Sequence, residues 1–199
     1  MQITDCKMPN LAKLNKEKIL SIYLSSSLVG IGRGADDRRL DRFKVTYSRL
    51  IDKAIYEYCL VQEDVINEIE EPKRSIKELQ KGRNFYAHLI MNNLENCINS
   101  IRRLFNILDK LNGAKYYSLD KLVKRSINFD SKKIIGMRNM IEHLDKDIFG
   151  NKIIHGDPIA PIVSNDASSI QISDVKIKTA ELAYILERLH DIGKQVSTL

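Results

Sequence analysis

The feature that most constrains the fold is a long run of helical periodicity between Asp36 and Glu71. Apolar residues recur in this run at spacings of three and four, which places their side chains on one face of an α-helix. The members of this stripe are Leu40, Phe43, Tyr47, Leu50, Ile51, Ala54, Tyr58, Val61, Val65 and Ile69. The run therefore predicts one long amphipathic helix, whose apolar face has to be buried against a second long element.

A second long helix is predicted to start at Pro72, because proline tolerates the first turn of a helix but not its interior. Helical spacing continues to Leu111, and Asn112-Gly113 is a typical helix stop. The apolar stripe consists of Ile76, Leu79, Ile90, Leu94, Ile98, Ile101, Phe105 and Leu108. Two long helices joined by a short turn predict an antiparallel helical hairpin.

The rest of the chain predicts shorter elements. A short helix is expected at residues 118–126 and another at about residues 130–150. Residues 159–173 predict a β-hairpin, and residues 175–196 predict a terminal helix. The predicted fold class is all-α, an antiparallel helical bundle with two long helices, a short β-hairpin near the C-terminus and a terminal helix.

Residues 1–35 are predicted to form an N-terminal segment beside a helical domain of residues 36–199, in which the β-hairpin is an insertion. Residues 11–24 fit a short amphipathic helix, and a glycine-rich stretch follows at residues 30–34. A phosphate-binding loop needs a preceding strand, a Gly-x-Gly-x-x-Gly spacing and a helix that opens on the loop. Here the spacing differs and no βαβ unit follows, so the glycines are interpreted as a connector.

Composition excludes several classes of protein. The chain has 199 residues, 43% of them hydrophobic, which is enough to bury a core without disulfides or a structural metal. The three cysteines, Cys6, Cys59 and Cys97, are odd in number and far apart, which favours packed free thiols in a reducing compartment. No apolar run approaches the ~18 residues of a membrane span, and no signal peptide is evident, so a cytoplasmic protein without a membrane partner is expected.

Two copies of an Arg-Asn-x-x-x-His pattern supply the candidate functional residues. The downstream copy is Arg138, Asn139 and His143, within the helix predicted at residues 130–150. The apolar stripe of that helix is Ile134, Met137, Ile141, Leu144 and Ile148. When this stripe faces the core, Asn139 and His143 share the opposite face. An outward histidine can act as a general acid or base, whereas the simplest alternative is a solvated histidine beside an ordinary ion pair of Arg138 with Glu142.

The upstream copy is Arg83, Asn84 and His88, within the predicted second helix. On that helix Arg83 projects along the apolar stripe, while Asn84 and His88 face away. A buried guanidinium needs a paired acid or a phosphate, so Arg83 is either a structural bridge or reaches a cleft from within the bundle, and the structural role is favoured. These residues form a secondary candidate site.

The downstream motif in its helical context resembles the HEPN superfamily. The hallmark of that family is an arginine, four to six residues and a histidine, with Asn, Asp or His commonly after the arginine; Arg138, Asn139 and His143 match it. The resemblance covers roughly residues 36–149 and the terminal helix. It implies a metal-independent endoribonuclease without a cofactor, often a toxin of a toxin–antitoxin or phage-defence system. It also implies a homodimer with a composite site at the interface, RNA as substrate and an antitoxin protein as a partner.

In such an enzyme His143 would be the general base or acid for attack by the ribose 2′-hydroxyl, and Arg138 would hold the phosphate. Asn139 would orient the imidazole or the substrate. The net charge of +6 suits attraction to RNA. The lysines predicted to contact the RNA backbone are Lys132, Lys133 and Lys146. Some toxins of the family carry a modified tyrosine where this chain has Asp145, so that mode of control is not expected.

Two alternative functions remain open. The same bundle can serve as a non-catalytic module that holds RNA or a protein. His190-Asp191 is also similar to the His-Asp signature of HD-type metal phosphohydrolases, with His155 as an upstream ligand. A divalent metal needs several ligands, and no aspartate follows Asp191 in the sequence. A surface histidine near a helix C-terminus is therefore expected at residue 190.

Overall fold

Helices make up most of a computed structural model of the chain, and a small sheet lies near the C-terminal end. The structure describes residues 6–28, 38–80, 82, 85–113, 131–143 and 158–197. The helices are α1 (Ala12–Lys16), α2 (Ile19–Leu28), α3 (Arg38–Glu70), α4 (Ile76–Leu79), α5 (Ala87–Gly113), α6 (residues 131–143) and α7 (Thr179–Ser197). The strands are β1 (Ile162–Val163), β2 (Ser169–Ile172) and β3 (Val175–Lys178). No described helix is both long and apolar enough to cross a membrane.

The long helix predicted from the first apolar stripe is confirmed as α3. Its core positions are almost fully buried, and they are Tyr47, Leu50, Ile51, Ala54, Tyr58, Val61 and Val65. Helix α3 packs along α5, and the predicted antiparallel hairpin is confirmed by two contacts. Glu68 Oε2 accepts a hydrogen bond from Tyr86 N at 2.9 Å, and Asp64 Oδ2 accepts one from Asn93 Nδ2 at 3.1 Å. The partner residue number falls as α3 advances, so the two helices run in opposite directions.

The prediction that the second helix runs unbroken from Pro72 is wrong. A 3₁₀ turn at Glu71–Lys73 is followed by α4, and the long helix α5 begins only at Ala87. Ser75 starts α4 through a capping box: its hydroxyl accepts from the amide of Glu78, whose carboxylate accepts from the amide of Ser75. This local capping competes with the continuous helix that the apolar spacing indicates.

The chain also leaves helical geometry before α5. Gly82 has a φ of +112°, a left-handed conformation that glycine adopts without strain. Ile76, predicted to lie in the apolar stripe, is instead 77% exposed. Within α5 the predicted stripe is buried, and its members are Ile90, Leu94, Ile98, Ile101, Phe105 and Leu108.

The predicted β-hairpin is confirmed, and the structure adds a third strand to it. Strand β2 pairs with β1 and with β3, in both cases antiparallel. The prediction that residues 175–178 open the terminal helix is wrong. Their sequence, Val-Lys-Ile-Lys, alternates apolar and charged residues with the period of a strand, and Ile177 is buried on one face. Helix α7 therefore starts at Thr179.

The N-terminal segment packs against the same core. Residues 11–24, predicted as one helix, contain α1 and the start of α2, which are separated at Glu17-Lys18. The buried apolar residues of this segment include Met8, Leu11 and Ile19. Asp52 of α3 accepts hydrogen bonds from the amides of Ile19 at 2.9 Å and Leu20 at 3.1 Å. These are first-turn donors of α2 that have no partner within the helix, so one carboxylate both caps α2 and joins it to α3.

Other predictions lie outside the described residues. They concern the glycine-rich connector at residues 30–34, the short helix at residues 118–126 and the part of the helix predicted after residue 143. These stay predictions.

Candidate functional site

Helix α6 carries the downstream motif and buries one face. Ile134 and Met137 are fully buried, and Met140 packs against the same core while partly exposed. Gly136 faces the sheet, because a Cβ atom placed on it would lie 3.5 Å from Val175 Cγ2 of β3. The core and β3 therefore fix the orientation of α6.

Asn139 and His143 are both exposed, one turn apart on α6. They lie away from buried Ile134 and Met137, in the direction that the helical periodicity predicts. This face is open to a substrate or to a second subunit. It presents an amide and an imidazole one turn apart on a helix whose opposite face is buried.

Arg138 forms an ion pair with Glu142 one turn further along α6. The two side chains are 33% and 39% exposed. Exposed ion pairs of this kind stabilise a protein by less than about 1 kcal/mol. This is the ion pair that the sequence predicts as the simplest alternative to a catalytic motif. It holds the guanidinium beside the turn that carries His143.

The lysines predicted to contact RNA are in different environments. Lys132 is exposed. Lys133 Nζ lies 2.7 Å from both carboxylate oxygens of Glu181 in the first turn of α7, so it joins α6 to α7. Lys146 lies outside the described residues.

Of the upstream motif, the structure describes His88, which is exposed in the first turn of α5. Arg83 and Asn84 lie outside the described residues. Phe85 and Tyr86 are not helical, so the orientation deduced for this motif on one continuous helix does not apply. The structure therefore gives no geometry that joins the two motifs.

A carboxyl group of α3 lies within electrostatic range of His88. Burial raises the pKa of Asp64 above its usual value, while the hydrogen bond from Asn93 and the charge of His88 oppose this shift. This polar cluster between α3 and α5 came together through packing of the two helices, and no sequence motif indicated it.

The histidine of the HD-like motif is a structural residue. His190 is fully buried, and its Nε2 lies 2.9 Å from the carbonyl oxygen of Glu17. A carbonyl oxygen only accepts, so Nε2 carries the proton; Nδ1 is buried without a hydrogen-bond partner among the described residues. The predicted surface position is wrong, because the inward face of α7 includes residue 190. Lys194, one turn later, pairs with Glu17 Oε2 at 2.8 Å and lowers the pKa of that carboxyl group.

A metal centre gains no support from these residues. Across the part of the chain that the structure describes, no three His, Cys, Asp or Glu side chains are grouped to hold a metal ion. His155, the proposed upstream ligand, lies outside that part.

The cysteines pack as free thiols. Cys97 is fully buried, and Cys6 and Cys59 are partly buried. Burial raises the pKa of Cys97 and of Cys59, which keeps these thiols protonated and poorly nucleophilic. The structure thus agrees with a packing role rather than covalent catalysis.

A cleft of about 260 Å³ lies where the end of α3 and the start of α5 meet the β1–β2 turn. Its lining residues are Val65, Glu68, Ile69, Pro72, Ile90, Val163, Ser164 and Asn165. They come from three separate parts of the sequence, so no local motif could have indicated the cleft. It shares no lining residue with the motif on α6.

Comparison of the chain with protein-family models, with curated proteins and with solved structures gives no match. The resemblance to the HEPN superfamily therefore rests on the motif of α6 and its helical context.

Proposed function

We propose that this chain is a metal-independent endoribonuclease of the HEPN type that acts as a homodimer in a toxin–antitoxin or phage-defence system. The observation that supports the proposal is the exposure of Asn139 and His143 one turn apart on α6, next to partly exposed Arg138. An imidazole, an amide and a guanidinium thereby lie on adjoining turns of a helix whose other face packs against the core.

The proposed reaction is attack of a ribose 2′-hydroxyl on the adjacent phosphorus. The bond from phosphorus to the 5′-oxygen of the next nucleotide breaks, which leaves a 2′,3′-cyclic phosphate and a 5′-hydroxyl. One imidazole accepts the proton of the 2′-hydroxyl, and another donates a proton to the leaving oxygen. A single imidazole cannot be neutral and protonated at once, so the homodimer would supply His143 from each subunit.

Arg138 would bind the phosphate that is attacked. Its planar guanidinium can donate two parallel hydrogen bonds to the non-bridging oxygens, where negative charge increases in the transition state. Asn139 can orient the imidazole one turn away or donate to the substrate. The exposed ammonium of Lys132 and the net charge of +6 would attract the RNA backbone in a salt-dependent manner.

Incubation of the purified chain with single-stranded and structured RNA in EDTA tests this proposal. We expect products that end in a 2′,3′-cyclic phosphate, and His143→Ala and Arg138→Ala should each reduce the cleavage rate by about 100-fold or more. Asn92, exposed on α5, provides a matched control for Asn139: Asn139→Ala should impair cleavage, and Asn92→Ala should not. The proposal fails if cleavage requires a divalent metal or survives His143→Ala in the folded protein.

A non-catalytic module that binds RNA or a protein is the second candidate. The ion pair between Arg138 and Glu142 favours it, because a guanidinium shared with a carboxylate can still attract a backbone phosphate but is less available to stabilise the charge of a transition state. RNA recovered intact after binding, with binding weakened by Arg138→Ala and unaffected by His143→Ala, would support the binding module over the nuclease.

A further inference from the structure

The ion pair on α6 places a carboxylate where the proposed function requires a phosphate. Arg138 is bonded to Glu142, and Glu142 directly precedes His143 in the sequence. A phosphate held by Arg138 within reach of His143 would therefore lie beside the Glu142 carboxylate. Two anions would then compete for one guanidinium.

A second cation of the same helix is paired in a similar way. Lys133 is bonded to both carboxylate oxygens of Glu181. Two of the cations predicted to bind RNA, Arg138 and Lys133, thus have protein carboxylates as partners in the free chain. Exchange of a carboxylate for a phosphate at such a cation changes the binding free energy little, because one ionic contact replaces another.

We propose, on the basis of the proposed function, that Glu142 is an intramolecular counter-ion of Arg138. A phosphate of the RNA backbone has to displace Glu142 before it can bind the guanidinium. The two side chains are 33% and 39% exposed, and the guanidinium is already bonded to Glu142, so a phosphate that takes the same donors has to displace the carboxylate. An isolated phosphate gains the contact to Arg138 but displaces Glu142. An extended RNA strand also gains contacts to other cations, such as exposed Lys132. Glu142 therefore makes the site selective for extended RNA over mononucleotides and inorganic phosphate.

The test measures binding alone, with a fluorescently labelled single-stranded RNA in which every 2′-hydroxyl is methylated. This RNA cannot undergo 2′-hydroxyl attack, so binding is read independently of cleavage. Glu142→Gln should bind about two- to fivefold more tightly at low salt, the range expected for release of an exposed ion pair. The slope of log affinity against log salt should steepen by about 0.7, the value for one added phosphate contact on a single strand.

Glu70→Gln is the matched control. Glu70 pairs with Lys73 at 2.9 Å at the end of α3. Its substitution removes one negative charge, as Glu142→Gln does, but at a site away from α6. It should change the affinity less than Glu142→Gln does. In an Arg138→Gln background, Glu142→Gln should have no effect, because no guanidinium remains to be released.

The inference is contradicted if Glu142→Gln binds no more tightly than Glu70→Gln, or if its gain persists without Arg138. It is also contradicted if neither the wild-type chain nor Glu142→Gln binds the methylated RNA. A gain in binding together with no cleavage of unmodified RNA would contradict the nuclease proposal and leave the role of Glu142 standing.

Discussion

At the scale of single residues, His143 and His190 show how the environment decides what a histidine can do. Both lie on helices. His143 is exposed, so its imidazole can exchange protons with a substrate. His190 is fully buried and donates a hydrogen bond to the carbonyl oxygen of Glu17, so its imidazole holds two segments of the chain together. The helix face on which each residue lies accounts for the difference.

The two exposed histidines of the Arg-Asn-x-x-x-His motifs are expected to contribute unequally to RNA cleavage, and the difference can be measured. His143→Ala should reduce RNA cleavage more than His88→Ala does, because His143 lies on the same helix as Arg138, whereas residues 85 and 86 interrupt the helix before His88. Initial cleavage rates of the two variants at equal protein concentration check this expectation. An equal or larger loss for His88→Ala would make the upstream motif the main site.

At the scale of elements, hydrogen bonds join the N-terminal segment to the helical hairpin, the sheet and α7. Asp52 of α3 caps α2, and His190 of α7 binds the junction before it. The amide of Lys7 donates to the carbonyl oxygen of Asp166 in the β1–β2 turn at 2.9 Å. Hydrogen bonds from Ser168 and Lys7 hold the pKa of Asp166 well below its usual value, so this carboxylate stays ionised. These contacts join the N-terminal segment to the elements that form the core.

Alanine substitutions at two helical glycines distinguish the effect of close packing on stability from the effect of helix propensity. A Cβ atom on Gly193 would lie 3.2 Å from Tyr47 Cε1, and Tyr47 is fully buried with its hydroxyl bonded to the carbonyl oxygen of Leu189. The ring has little room to move, so Gly193→Ala should destabilise the fold by about 1 kcal/mol: an overpacking cost of about 2 kcal/mol exceeds a propensity gain of about 1 kcal/mol.

Gly136→Ala is the companion variant. Its nearest contact, Val175 at 3.5 Å, is an ordinary van der Waals distance, so the gain in helix propensity should stabilise the fold by about 0.5–1 kcal/mol. Urea denaturation of both variants and the wild type gives the two free energies of unfolding. A stabilising effect of Gly193→Ala would contradict the overpacking argument, and a destabilising effect of Gly136→Ala would contradict the helix-propensity argument.

At the scale of the whole molecule, one hydrophobic cluster includes residues from Met8 to Val196, and α6 contributes only its inner face. The outer face of α6 presents Asn139 and His143 away from that cluster. A composite site in a symmetric dimer would bring the same face of both subunits together, because an isologous interface uses one patch twice.

A cysteine at residue 139 tests that arrangement. Asn139→Cys should crosslink two subunits with a short bismaleimide in dilute solution, because the two outer faces of α6 would meet at the dimer axis. Asn92→Cys on α5 and the wild-type chain control for the native thiols. Crosslinked dimer on denaturing gels checks the expectation, and equal yields for both variants would argue against an interface at α6.

Helical periodicity is a local property, and the parts of the structure that depend on it could be predicted. Tyr47 and Ile51 of α3, and Leu94 and Ile101 of α5, are buried as their spacing indicates. The outward direction of Asn139 and His143 follows from the same geometry. The start of α5 could not be predicted in this way, because capping by Ser75 and the left-handed Gly82 override the apolar spacing.

The sequence by itself determined which residues form the two long helices and which side of α6 carries the candidate site, because backbone geometry alone sets the direction of each side chain. Only the tertiary structure decided that His190 is buried against Glu17, 173 residues away in the sequence, and that Lys133 is held by Glu181. These features depend on which faces meet when the helices pack and on which of several near neighbours a charged side chain selects. Such choices follow from contacts in space, so spacing could indicate the ion pair of Arg138 with Glu142 on one helix but could not show that Lys133 has a counter-ion on another helix.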